Sequence, residues 1–168
     1  MSSAPEIYSS DIDQSKFGVE QLTQMREQFS GESDETLARF LIARNNNKDK
    51  AAELLVGHLF WKKENWPILK SSCLSELSKG KMYVHGTDKE GHPLLVYRAC
   101  LNNANDRDLE EMGKLVCWWM ATALSVMPRD KSKITILIDR TDYESKNTDY
   151  EFVKHLSPIM QVHCNNNK

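Results

Sequence analysis

Residues 36–55 read TLARFLIARNNNKDKAAELL, an apolar stretch, three asparagines and a second apolar stretch. Leu37, Phe40 and Leu41 recur at the three- and four-residue spacing of an amphipathic helix, and that face ends at Arg44. A second face, Ala51, Leu54 and Leu55, opens seven residues further on. Asparagine tolerates the left-handed backbone that commonly closes a helix, so Asn45 or Asn46 can stop the first helix. Asn47 can then cap the second, and Ser33 or Asp34 the first, with Asp34 and Glu35 where the helix dipole favours carboxylates. The triplet predicts stop, turn and restart, with an arginine at the turn.

Working outward, GVEQLTQMREQF (18–29) predicts a short helix with Val19, Leu22, Arg26 and Phe29 on one side, preceded by a loose polar tail over 1–16. The second helix continues to about Trp66, and Pro67 marks a change of pattern. KMYVHGTDKEGHPLLVYRAC (81–100) predicts two strands around a DKEG turn. A helix over Asp108–Met127 begins with Asp108 and Glu111 at capping-box spacing, and carries the stripe Met112, Leu115, Val116, Trp119 and Ala123. Its neighbours from Leu115 onward are also apolar, so it is expected to be buried on most sides. KITILID (133–139) reads as an interior strand covered on both faces. TDYEFVKHLSPIMQV (148–162) predicts a last helix with a Thr148–Glu151 capping box and a kink at Pro158.

Composition narrows the function classes. The chain has 168 residues, 40% hydrophobic and 27% charged, with a formal charge of -2, so no basic field points to nucleic acid. Cys73, Cys100, Cys117 and Cys164 are far apart, the pattern of reduced thiols in a cytosolic protein. The longest uncharged apolar run, Leu115–Met127, is shorter than the roughly 20 residues of a membrane span, and the chain reads as soluble. No phosphate-cradling, nucleophile-elbow or zinc-protease motif is present, and His58, His85, His92, His155 and His163 share no ligand spacing. Asp139 and Asp142, at the end of a strand, are compatible with two Mg²⁺ ligands, but belong more simply to a strand end and a turn. WKKENW (61–66) interleaves bases and aromatics as single-strand binders do, yet its register puts Trp61 on the face of Leu54 and His58. The expectation is a non-enzyme with no cofactor, no metal and no nucleic-acid partner.

DETLARFLIARNNNKDKAAELLVGHLFWKKE resembles the N-terminal helical module of the CRAL-TRIO lipid-binding family, which includes yeast-type phosphatidylinositol/phosphatidylcholine transfer proteins and the tocopherol transfer protein. KMYVHGTDKEGHPLLVYR resembles the first strand pair of that family's lipid-binding domain, and KITILIDRTDY the strand after its long helix. The resemblance implies an α/β fold (α+β overall): a helical module over 17–67, then a partial CRAL-TRIO mixed sheet with flanking helices over 78–168. It implies an apolar bowl that holds one lipid under a gate helix. Arg44 matches a basic position that contacts headgroup phosphate in phosphoinositide-exchanging members, where a guanidinium can bind bidentately. Asn45 and Asn46 depart from the basic and aromatic residues usual in that turn.

Leu95, Tyr97 and Ala99 share the strand face that lacks Arg98, and Ile134, Ile136 and Ile138 the face opposite Asp139. These, with Trp119, are assigned to the lipid side. The family's further strands and gate helix have no counterpart before QVHCNNNK, so the chain is expected to be a truncated isoform or fragment in which lipid transfer is impaired and KITILID, short of a neighbour, becomes an exposed apolar edge. The expected partner is a phospholipid, possible phosphatidylinositol included, or another hydrophobic ligand, met at a transient membrane surface from the cytoplasm. The competing class is a non-catalytic protein-interaction or membrane-targeting module with a protein partner.

Overall fold

The structure is a computed structural model that describes residues 12–163. It divides into two compact units, residues up to 66 together with 129–132, and residues 67–128 together with 133–163.

The first unit is built from α1 (Val19–Gln28), α2 (Asp34–Ala43) and α3 (Lys48–Asn65). Leu22 and Met25 of α1, Leu37, Ala38, Phe40 and Leu41 of α2, and Ala51, Ala52 and Leu55 of α3 form its core. Of the face expected for α1, Leu22 is buried and Phe29 packs against the core, and one position is corrected. Val19 is 56% exposed and Met25 takes the inward position with Leu22, while Arg26 grips Asp34 at the start of α2 with two bonds of 2.6 and 2.9 Å. The described end of the expected tail is ordered, with a 3₁₀ turn at Gln14–Lys16 between buried Ile12 and Phe17.

The asparagine turn has the geometry of a Schellman motif. Asn45 and Asn46 are both left-handed, at φ 50° and 60°. The Asn46 N–H donates to the Leu41 carbonyl at 2.8 Å and the Asn45 N–H to Ile42 at 3.1 Å, which satisfies carbonyls the helix end leaves open. Asn47 then caps α3 by accepting from the Lys50 N–H at 3.0 Å. Asn46 also accepts from the Gly18 N–H at 2.9 Å, so the same turn holds the residue before α1.

The second unit contains α4 (Leu74–Ser78), β1 (Met82–Thr87), β2 (Pro93–Arg98), α5 (Leu109–Ser125), β3 (Thr135–Asp139) and α6 (Tyr150–His163). The sheet order is β1-β2-β3, with β1 and β2 antiparallel and β2 and β3 parallel, so the fold is α/β with a mixed sheet. Asp88 orders the hairpin turn by accepting from the Glu90 and His92 N–H groups, both at 2.9 Å. α5 packs on β1, β2 and α6. Its Met112, Leu115, Val116, Met120 and Ala123 meet Met82, Leu95, Ile134 and Phe152 in the core.

Three local expectations are corrected here. β3 is an exposed edge strand among the described residues, as expected of a chain short of the family's further strands, and not an interior strand covered on both faces; Ile136, Leu137 and Ile138 are 42%, 50% and 59% exposed. An apolar β-branched run marks a strand, but its cover is supplied by neighbours in space, and here β2 alone pairs with it. The cap of α6 is Asp149, which accepts from the Phe152 N–H at 2.9 Å, while the Thr148 hydroxyl pairs with Tyr143 at 2.9 Å. Asp108 caps α5 through the Glu111 N–H at 2.9 Å, but the Glu111 carboxylate reaches out to the Glu76 N–H at 3.1 Å instead of closing the box. α6 continues as helix through position 158. Residues 164–168, including Cys164, lie outside the described residues.

Candidate functional site

One face of the sheet in the second unit meets α5 and α6 only partly, and the gap is a cavity of about 500 Å³. Strand register builds its floor. Met82 pairs with Tyr97 and Tyr97 with Ile138, so these three stand side by side across the sheet. Leu95 and Ile136 form the next row. Val116 and Met120, one helical turn apart on α5, supply one wall, and Phe152, Val153, Leu156 and Met160 of α6 supply another.

The end of the cavity is polar, where Asn102, Arg140, Tyr143, Asn147, Thr148 and Asp149 line it. Behind them runs a buried network. Lys81 is fully buried and donates to Glu76 at 2.6 Å and to Asn102 at 3.1 Å. Asn102 donates to Asp149 at 3.3 Å, and Arg107 grips Asp149 with two bonds of 2.8 and 2.9 Å. Glu76 also accepts from Lys79 and from the Asp108 N–H, both at 2.9 Å. Asn147 donates to the Cys100 and Asn102 carbonyls at 2.9 and 2.6 Å, which pins the loop around residue 102.

Charge states follow from these contacts. Burial works against the Glu76 carboxylate, but hydrogen bonds from Lys81 and Lys79 outweigh it and hold the group below the usual carboxylate range. The Arg107 hydrogen bonds lower Asp149 to about 2 against the opposing effect of burial. Burial, with the Asp149 charge adding to it, pushes the Tyr97 phenol up to about 12. The network carboxylates Glu76 and Asp149 are therefore matched within the protein, and the cavity beside them is mostly apolar.

Of the residues assigned to the lipid side from sequence, Leu95, Tyr97, Ile136 and Ile138 line this cavity together, with Ala99. Ile134 precedes β3 and is buried in the core instead. Trp119 lies on the flank of α5, edge-on to Trp118 with ring centroids 4.7 Å apart, because the helix turns Val116 and Met120 toward the cavity. Arg44 ends α2 in the first unit, where its guanidinium donates to the Ala43 carbonyl at 2.9 Å. Sequence reasoning missed the polar end altogether. Lys81 and Glu76 look like surface residues in SELSKGK, and Asn102 and Asp149 are 47 positions apart. Asp139 accepts from the Thr141 N–H at 2.9 Å and Asp142 sits in a left-handed turn at φ 58°. Among the described residues no group of three His, Cys, Asp or Glu side chains is placed to hold a metal ion, and no helix is long and apolar enough to cross a membrane.

Residues 77–167, more than half the chain, match the CRAL/TRIO domain. The chain belongs to the CRAL/TRIO family. Every lining residue of the cavity falls within the CRAL/TRIO match. The chain is 27% identical over 141 residues to a CRAL-TRIO domain-containing protein of Schizosaccharomyces pombe, covering 77% of this chain and 32% of that protein. It is also 27% identical over 144 residues to a phosphatidylinositol transfer protein of Eremothecium gossypii, covering 77% of this chain and 33% of that one. The chain thus spans about a third of the length of these curated relatives.

Proposed function

We propose that the protein binds a phospholipid or another small hydrophobic lipid in the cavity of its CRAL/TRIO domain and exchanges it at membrane surfaces facing the cytoplasm. The observation that carries this reading is a cavity of about 500 Å³ whose floor and walls are apolar side chains from three strands and two helices. Clefts of this size with a few convergent polar groups are characteristic small-molecule sites. The similarity to a phosphatidylinositol transfer protein supports a lipid with a phosphorylated headgroup.

Transfer of a two-chain phospholipid by this chain alone is proposed to be weak. Its roughly thirty methylenes, each worth about 0.8 kcal/mol in the bilayer, leave the membrane only if a pocket encloses nearly all of them. At about 30 Å³ each, close to the share of a liquid water molecule, the cavity has room for roughly half that number. Native mass spectrometry on the freshly purified chain is expected to retain a lipid-mass adduct, with labelled phospholipid moving slowly between vesicles. A chain that never carries a lipid under these conditions would refute the reading.

The exposed apolar residues of β3 favour a second reading, a module that docks onto another protein. Binding that depends on added vesicles supports the lipid reading, and one stoichiometric protein partner in their absence supports the second.

A further inference from the structure

Arg140 and Asp149 are the charged residues among those described that line the cavity. Asp149 is spoken for, since Arg107 holds both of its oxygens and Asn102 and the Phe152 N–H complete its bonds. Arg140 differs. Its guanidinium lies 4.4 Å from the centre of the Tyr143 ring, and among the described residues no carboxylate pairs with it. Tyr143 in turn bonds Thr148, so the arginine is stacked on a ring that is itself held in place. Stacking orients a guanidinium while leaving its five N–H donors available for a planar acceptor. Nearby Glu144 already pairs with Lys146 at 2.8 Å, and Asp139 binds the Thr141 N–H.

An oriented cation with free donors, at one end of an apolar cavity sized for roughly sixteen methylenes, describes a complementary ligand. We infer that the cavity takes a single-chain anionic amphiphile, a carboxylate or phosphate head on one alkyl chain, with the head held by Arg140. The inference rests on the lipid-binding reading above and adds the charge and chain number of the ligand.

Titrating the 168-residue chain with dodecanoate, dodecyl phosphate and dodecanol tests it, because the three share one tail and differ in the head. The two anions are expected to bind roughly ten- to hundredfold more tightly than the alcohol, the range of a charge-assisted hydrogen-bond pair. Arg140→Gln is expected to erase that preference while dodecanol binding stays within about twofold, and Arg140→Lys to keep part of it. Equal affinity of the wild-type chain for acid and alcohol overturns the inference without any variant, and leaves the lipid-binding reading standing. A preference that survives Arg140→Gln also overturns the role given to Arg140. Failure to bind any of the three overturns the inference, and a lipid-mass adduct on the purified chain in native mass spectrometry still upholds the lipid-binding reading.

Discussion

In the three helices of the first unit the buried positions are apolar almost throughout, and polar side chains work at helix ends: Ser33, Asn46 and Asn47 satisfy backbone groups there. In the sheet unit Glu76, Lys81, Asn102 and Asn147 are buried beside the apolar core, and a cavity remains next to them. The first arrangement spends its polar groups on connecting helices and fills its centre. The second uses them to fix the walls of a space that no side chain fills. An exposed floor such as Ile138 then contributes little to folding and is available for a ligand.

This contrast can be broken, beginning with the largest effect. Lys81→Met leaves Glu76 buried with only Lys79 as a cationic partner, and is expected to cost about 3 kcal/mol in urea denaturation. Arg26→Met removes a partly exposed ion pair in the helical unit and is expected to cost about 1 kcal/mol. Equal costs would erase the distinction between the two units.

Acid probes the same network. The Asp149 carboxylate is lowered to about 2 from an ordinary 3.8, so its stabilisation is present above that ordinary value and is lost as pH falls through the folded one. About 2 kcal/mol should disappear between roughly pH 4 and pH 2, read by thermal melts across that window, and Arg107→Gln should flatten the profile.

Gly113 sits inside α5 although glycine weakens a helix by about 1 kcal/mol relative to alanine. A Cβ there would stand 2.8 Å from the His155 ring and 3.3 Å from Ile159, so the glycine lets α6 lie close. Gly113→Val is expected to cost about 1–3 kcal/mol and to raise hydrogen exchange in α6. Asn47→Ala should cost about 1 kcal/mol through the lost cap of α3, whereas Asn46→Gly keeps the left-handed turn and loses only the bond to Gly18. The smallest change in stability is expected for Ile138→Ser, within about 0.5 kcal/mol, yet it should weaken binding of dodecanoate measurably.

Much of the architecture was legible because it is written in local chemistry. Helix spacing, the DKEG hairpin and the stop-and-restart of the asparagines depend on residues within a few positions of one another, and the structure has them. The floor residues Leu95, Tyr97, Ile136 and Ile138 were legible for a related reason, since alternation along a strand fixes which side chains share a face. Trp119 was misplaced because a helix stripe states an apolar arc without saying which part of it meets a neighbour. The α1 face held at Leu22 and Phe29 but failed at Val19, whose place in the core Met25 takes, and the α6 cap fell one residue on, at Asp149 instead of Thr148.

The sequence by itself determined the elements, their order and the strand faces, because backbone propensity, capping and periodicity act over short stretches of chain. Tertiary structure alone decided the rest. Lys81 becomes a buried charge only because Asn102, 21 residues on, and Glu76 converge on it. Asp149 becomes a matched carboxylate only because Arg107 reaches it from 42 residues away. Burial and charge pairing are properties of what surrounds a residue in space, and a linear sequence states only what precedes and follows it.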